Sequence, residues 1–334
     1  MKTVVITVNY NGREYLTGCL RSLVSMQPEA DEIIVVDNGS EDGSVELVRT
    51  EFPEVRVIRM DRNIGFARAN NIAVKETDAE FIALINNDCV ASSNWLSTLR
   101  SACMLPGVGA ASSSMRMVQN PDLIDSAGGM IDLLGFAMDR GRGKPAVEND
   151  SNLDIAYPCG GAMMIRRSAL RTEENLFFEE LFMYGEDMEL GWRLWRDGWK
   201  VVYEPESVVI HEGSASSRKI PFRRDFMINR NHWLILRRHF SNHTLIRVLP
   251  WFLLLQFHRG IWHLLKVDPK LSMAILFSIF PGLLIKVKPC EYAVPGEEYI
   301  LNFATHFEGR SRLYYLVEKK ISRILNSSFR IMQH

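Results

Sequence analysis

Apolar residues fall into short β-branched runs in the first half of the chain and into longer blocks, broken by basic residues, in the last third. Thr3 to Asn9 (Thr-Val-Val-Ile-Thr-Val-Asn) predicts a buried strand. Beyond Gly12, residues Tyr15, Leu16, Leu20, Leu23 and Val24 recur at helical spacing. Glu32 to Asp37 is a second strand. Asn38-Gly39-Ser40 then turns the chain, and Ser40 or Asp42 is placed to cap the helix that follows. Val55 to Met60 reads as a third strand, Gly65 to Glu76 as a helix, and Phe81 to Ile85 as a fourth strand ending in Asn86-Asn87-Asp88. Strands alternating with helices predict an α/β fold, a mostly parallel sheet with helices on both faces.

The pattern loosens over residues 107–166, where Gly107, Gly128-Gly129 and Gly160-Gly161 separate short strands and a loop runs from about Asp139 to Asp154. Residues 185–198 read as a Trp-rich amphipathic helix, and Val201 to Ile210 as strands. From about Lys219 apolar stretches alternate with basic residues: Trp233 to Arg238, Val248 to Phe257, Leu271 to Val287. The uncharged run Leu271 to Ile285 contains Pro281 and is shorter than the roughly 20 residues a spanning helix needs. These stretches read as interfacial amphipathic or re-entrant helices. An ordinary helical cap or dimer interface, and a transmembrane hairpin, are the other readings. No internal repeat is visible.

Composition adds one thing. The chain of 334 residues is 47% apolar and 24% charged with a net charge of −1, ordinary for a globular protein. That total hides a split: residues 1–217 carry 20 Lys+Arg against 33 Asp+Glu, a net of −13, and residues 218–334 carry 19 against 7, a net of +12. We therefore expect two domains, 1–217 and 218–334, the basic one facing a polyanion. Basic residues interleaved with aliphatic blocks, and no nucleic-acid motif, favour an anionic membrane surface over nucleic acid. Five scattered Cys without a C-x-x-C speak against a zinc site or a disulfide framework. Met1 to Ile6 is too short an apolar run for a signal peptide.

Ligands of a doubly wound sheet bind beyond the carboxyl ends of its strands, and polar residues gather there: Asn9, Asp37, Asp61-Arg62-Asn63 and Asn87-Asp88. Asp37 suits a base imide N–H, or an Asx-turn. Asp88, at the end of an apolar strand, suits Mg²⁺ or Mn²⁺, or again a turn. Two Arg and three Asn between Asp61 and Asn71 suit phosphate at a helix start, or merely cap a surface helix. The acidic residues of Glu186-Asp187-Met188-Glu189 include a candidate general base, or simply complement the helix dipole. His211, ending Val208-Val209-Ile210, is a metal ligand or a structural histidine. No G-x-G-x-x-G follows the first strand, which disfavours a dinucleotide site.

In order along the chain, Val5-Ile-Thr-Val-Asn-Tyr-Asn-Gly12, Ile34-Val-Val-Asp-Asn-Gly-Ser40, Asn63-Ile-Gly-Phe-Ala67 with Asn70-Asn71, Leu84-Ile-Asn-Asn-Asp88, Gly160-Gly-Ala-Met-Met-Ile165, Phe182-Met-Tyr-Gly-Glu-Asp187 with Glu189 and Arg193, and His211-Glu-Gly-Ser214 make an ordered set. Over about residues 3–217 the chain resembles a family 2 inverting glycosyltransferase of the GT-A fold, of the rhamnosyltransferase-like branch of bacterial surface-polysaccharide synthesis. The resemblance implies that Val8, Tyr10 and Asp37 hold a pyrimidine base, that Arg62, Asn63, Asn70 and Asn87 line the nucleotide and diphosphate, that Asp88 and His211 bind Mn²⁺ or Mg²⁺, and that Asp187 is the catalytic base. Asn86 stands where many relatives carry a first Asp. A UDP- or dTDP-sugar donor, rhamnose among the sugars allowed, and a glycan or lipid-linked acceptor at the cytoplasmic face of the cell membrane would follow, the protein being peripheral or monotopic there and a homodimer being compatible. The competing functions are a non-catalytic nucleotide-sugar-binding module and a sugar-phosphate nucleotidyltransferase, for which Asn9-Tyr10-Asn11-Gly12 makes a poor phosphate loop.

Overall fold

Strand β1 (Thr3–Asn9) lies between β2 (Glu32–Asp37) and β4 (Phe81–Ile85), with β3 (Arg56–Arg59) beyond β2, all parallel in the computed structural model. The structure describes all residues except 28, 150–152, 172–174, 213–220, 267, 291–295, 306–310 and 333–334. Because side chains alternate across a strand, Val4 and Ile6 enter one core while Val5 enters the other, and β1 is apolar on both faces. Helix α1 (Arg13–Val24) buries Leu16, Leu20 and Leu23 of the expected stripe and Cys19 besides, while Tyr15 and Val24 are half-buried. Helices α2 (Ser44–Glu51) and α3 (Phe66–Lys75) follow β2 and β3. Asp42 ties two helix starts: its Oδ1 accepts from the amide of Ser44, the first residue of α2, at 3.1 Å, and its Oδ2 from the amide of Arg13, the first residue of α1, at 2.8 Å.

Beyond β4 come β5 (Cys89–Ala91), α4 (Trp95–Met104), β6 (Val108–Met117), β7 (Asn120–Ser126), β8 (Gly129–Ile131), β9 (Ala137–Asp139), β10 (Leu153–Asp154), β11 (Ala162–Arg166), α5 (Glu186–Arg196) and β12 (Lys200–His211). A 3₁₀ turn at Ala146–Asn149 and β10 lie within the stretch expected to be loop. Among the described residues the main sheet runs β10-β12-β6-β11-β4-β1-β2-β3, with β5 on β12 and β7 on β6. The sheet is mixed, which corrects the expectation of a mostly parallel one. β11 is antiparallel to both β4 and β6, and β5, β7 and β10 also pair antiparallel. The parallel half is where helices make the crossovers; β6 turns straight into β7 through a short connection, which only antiparallel strands allow. Residues 201–210 belong to one strand, whose register shifts between Glu204 and Val208, around Pro205, a residue that cannot donate to a ladder.

The chain forms two compact units, Met1–Gly129 with Asp139–Ser216, and Met130–Met138 with Ser217–His334. The second holds α6 (Pro221–His239), α7 (Asn242–Lys266), α8 (Pro269–Leu284), α9 (Gly296–Phe303) and α10 (Arg312–Met332). Its early segment is fastened by a bridge between Ile131 and Ala304 and by His232 Nε2, 2.8 Å from the carbonyl of Leu134. No helix among the described residues is long and apolar enough to cross a membrane.

Candidate active site

The register Asn9↔Asp37 brings the ends of β1 and β2 level, and the turn after β4 joins them. Asn9 Oδ1 accepts from Asn87 Nδ2 at 2.7 Å, Asn9 Nδ2 donates to Ser40 Oγ at 3.2 Å, and the Ser40 amide donates to Asp37 Oδ2 at 3.1 Å. Gly12 closes over this chain, where a Cβ would lie 2.1 Å from Asn87 Nδ2. Asp37 is 1% exposed, yet its Oδ1 has no hydrogen-bond partner. A buried acceptor left open is costly unless a ligand donates to it. Val8 is half-buried; Tyr10 and Arg62 are exposed. Asn63 Oδ1 accepts from the Gly65 amide and Asn38 Nδ2, shaping the turn before α3, while Asn70 is buried and its Nδ2 bonds back to the carbonyl of Phe66.

The pairing His211↔Cys89 between β12 and β5 sets His211 beside Asp88. His211 Nε2 and Asp88 Oδ1 face each other at 3.4 Å, both buried and both without a hydrogen-bond partner. On its other side His211 Nδ1 lies 2.5 Å from Asp125 Oδ2. Burial opposes charge on His211, but Asp125 and Asp88 outweigh it and raise its pKa to about 9. The ring therefore carries a proton that balances two buried carboxylates. A divalent cation would balance them equally well, and an unpartnered oxygen facing an unpartnered imidazole nitrogen suits one. Cys89 lies in the same cluster. Burial first, and then Asp88, holds its thiol well above the usual range, so the oxygen and nitrogen donors are the usable pair.

Asp187 opens α5, half-buried, its Oδ2 accepting from the Gly160 amide at 3.1 Å and its Oδ1 from the Met188 amide at 2.7 Å. Burial raises its pKa to about 6, with those two amides pulling the other way. Burial and then Asp187 push neighbouring Glu186 higher still, to about 8, and Glu186 Oε2 has no hydrogen-bond partner. Asp187 is thus the carboxylate that ionises first. Glu189, a fallback base by position, is committed to a buried ion pair with Arg193 at 2.9 Å. Trp192 is fully buried and Trp195 Nε1 donates to the carbonyl of Ile155, so both aromatics belong to the core rather than to an open cleft.

The turn that leads into α5 is strained. Phe182, Tyr184 and Gly185 have φ of 64°, 74° and 88°, a region that L side chains rarely occupy. It is held against the start of α3: the Ala67 amide donates to the Phe182 carbonyl at 3.1 Å, and a Cβ on Gly65 would come within 2.6 Å of the Phe182 ring. The Gly160-Gly161 turn makes a second link. Gly160 holds Asp187, and the Gly161 carbonyl accepts from the Asn86 amide at 2.9 Å. Asp187 and the Asp88 turn are therefore fastened to adjacent residues.

Residues 4–173 match the family model described as Glycosyl transferase family 2, and residues 138–287 match that of Glycosyl transferase family group 2. The chain belongs to glycosyl transferase family 2. It is 28% identical over 242 residues to the N-acetylglucosaminyl-diphospho-decaprenol L-rhamnosyltransferase of Mycobacterium tuberculosis, covering 65% of this chain and 78% of that one. It is 27% identical to the pre-mycofactocin glycosyltransferase of the same organism, covering 67% of this chain and 45% of that one. Among solved structures, Staphylococcus aureus TarS 1–349 superposes with a TM-score of 0.57 at 18% identity, covering 100% of this chain and 93% of that one. GalNAc-T7 with UDP, GalNAc and Mn²⁺ superposes at 0.57 and 17% identity, covering 75% and 51%. These likenesses establish the GT-A type of fold.

Two further carboxylates of this family 2 protein were missed by sequence reasoning. Asp125, at the end of β7, contacts His211; its other oxygen lies 3.2 Å from Arg142, which also pairs with Asp139 at 3.0 Å. Burial raises the pKa of Asp139, with Arg142 opposing. Neither residue stands in a motif, and only the irregular pairing of β6 with β7 brings Asp125 to the histidine. Of the His211-Glu-Gly-Ser214 motif, Gly213 and Ser214 lie outside the described residues.

Proposed function

We propose that this family 2 protein is an inverting transferase that moves a sugar from a nucleoside-diphosphate donor, a UDP- or dTDP-sugar, to a hydroxyl of a glycan or lipid-linked acceptor in surface-polysaccharide synthesis. The observation that carries the reading is the Gly160-Gly161 turn, which fastens the Asp187 carboxylate beside the turn that bears Asp88. Asp187 takes the proton of the acceptor hydroxyl as its oxygen attacks the anomeric carbon from the face opposite the nucleotide, which inverts that centre. Glu186, protonated next to it, keeps a second negative charge out of the cleft. Asp37 offers its open oxygen to a base N–H, and the exposed Arg62 reaches for the diphosphate. Asp88 and His211 would hold Mn²⁺ or Mg²⁺, whose charge neutralises the leaving diphosphate. Rhamnose is a natural first donor to try, given the activity named for the mycobacterial relative. Mn²⁺ is the natural first metal, since the mannosyltransferase PcManGT of Pyrobaculum calidifontis, TM-score 0.53, is known in complex with GDP-Man and Mn²⁺.

We place the protein at the cytoplasmic face of the membrane, where the basic residues 218–334 meet anionic lipid while soluble donor arrives from the cytosol. The test of the catalytic reading is release of nucleoside diphosphate from a panel of nucleotide-sugars with Mn²⁺ and Mg²⁺, followed by the anomeric configuration of the product by NMR. No release with any donor, beside normal nucleotide binding, would favour the non-catalytic module. A retained configuration would remove Asp187 as base.

A further inference from the structure

Helices α7 and α8 are apolar on their outward faces as well as their inward ones. On α7, Leu254, Phe257, Ile261 and Leu265 follow one another at three- and four-residue steps, and all four are exposed, Leu265 at 77%. On α8, Met273, Phe277, Phe280 and Leu284 do the same, Phe280 at 72% and Leu284 at 78%. The faces turned inward mix small and polar residues, Gln256, Gly260, Ser272, Ser278 and Gly282, with large apolar ones such as Phe252, Leu255 and Ile279. Small residues let the helices approach closely: a Cβ on Gly260 would lie 2.6 Å from Leu276 and one on Gly282 2.8 Å from Trp233. A water-facing helix instead turns a polar face outward, with its large apolar residues inside. Small and polar residues at the helix interface with large aliphatic and aromatic ones outside is how helices pack when their surroundings are hydrocarbon.

We infer that the exposed face of the α7–α8 hairpin lies in the plane of an anionic lipid surface, with its aliphatic and aromatic side chains among the upper acyl chains. This rests on the membrane reading above and names the element that performs it. The orientation follows from charge and length. α8, with 16 residues, is about 24 Å long, short of the ~30 Å hydrocarbon core. Lys266 ends α7, Asp268 caps α8 and Lys270 lies in its first turn, so the tip of the hairpin is charged and does not enter first. Arg259, between the ends of the exposed stripe of α7, is turned away from the lipid: it bonds to Gln256 at 2.9 Å and sits over the Phe136 ring. Lys266 lies over Trp262 at 4.4 Å, an aromatic and a cation placed together as at a headgroup boundary. Lys266 and Lys270, with Lys286 and Lys288 just past α8, complement anionic headgroups. The same lysines would repel across a face-to-face pairing of two copies, each of which carries the +12 segment. Charge therefore selects lipid over a second copy.

The test uses the full-length protein without detergent and vesicles of phosphatidylcholine with or without phosphatidylglycerol. Wild type should float with the anionic vesicles, and Trp262 fluorescence should be quenched by lipids brominated near the headgroup end of the chain, a signal lost in Trp262→Tyr. Phe277→Asp with Phe280→Asp should lower partitioning at least about tenfold, while Leu316→Asp on the exposed side of α10 should not. Both changes are at exposed positions, so folding is checked by circular dichroism and donor turnover, which should match wild type. If the double variant floats like wild type, the hairpin is not the docking element, though the membrane reading stands. If wild type stays unbound and runs as a dimer that the double variant splits, the face belongs to a second copy. If wild type neither floats nor dimerises, the membrane reading itself fails, with the catalytic reading unaffected.

Discussion

Two carboxylates one residue apart in sequence have been given different work by their surroundings. Burial raises the pKa of Asp187 to about 6 against the pull of two backbone amides; burial, and then Asp187, raise that of Glu186 to about 8, with Oε2 left without a hydrogen-bond partner. kcat/KM should accordingly rise as the pH passes about 6, where Asp187 becomes a base. Asp187→Asn should lower turnover at least about a hundredfold and abolish that limb while nucleotide binding persists; a pH–rate profile of both proteins decides. Glu186 bears on stability. Its folded pKa lies above the ordinary 4.5, so the native state holds a proton that the unfolded chain releases, and stability falls as pH climbs from about 4.5 to about 8. Glu186→Gln should flatten that decline in Tm against pH. At the proposed metal pair, Asp125→Asn would leave Asp88 and His211 in place but loosen the ring orientation. We expect Mn²⁺ affinity to drop about ten- to a hundredfold, measured by the electron paramagnetic resonance signal of free Mn²⁺ without donor present. Asp187, Asp88 and His211 were legible in the sequence because each stands at the end of a patterned element. Asp125 was not, because its role depends on a partner 86 residues away.

At the scale of elements, legibility tracks locality. Strands β1, β2 and β4 and helix α1 follow from residues within a few positions of one another, and their patterns are clean. The direction of β11 is set by β4 and β6, far away in sequence, and no periodicity within Ala162–Arg166 encodes it. The serines of β6 show the same limit. Ser112, Ser113 and Ser114 would read as exposed, but they are buried and Ser113 Oγ accepts from Trp95 Nε1 at 2.8 Å. The clamp between α3 and the turn before α5 is sensitive to single changes. Gly65→Ala places a side chain at φ +92° and against Phe182. We expect a loss of about 1–3 kcal/mol from backbone strain, read by urea denaturation, and a fall in turnover larger than the fall in donor binding, since the clamp orients the start of the base helix.

The whole molecule divides its charge as it divides its structure, an acidic α/β unit and a basic helical one. The division is not a clean cut of the chain, however, because Met130–Met138 is assigned to the helical unit. A protein ending near Ser217 would therefore keep that segment without its partners: Ile131 and Leu134, fully buried in the intact chain, would face water. We expect such a truncation to aggregate, and replacing residues 131–137 with a short polar linker to improve its yield; light scattering of the two forms compares them. The same arrangement has a consequence for biosynthesis. Ile131 leaves the ribosome roughly 170 residues before Ala304, so at about 5–20 residues per second its segment waits on the order of ten to thirty seconds for its bridge. During that interval an apolar loop is left without its partners, even after β12 has emerged to complete the sheet, a transient client for chaperones that the finished protein no longer displays.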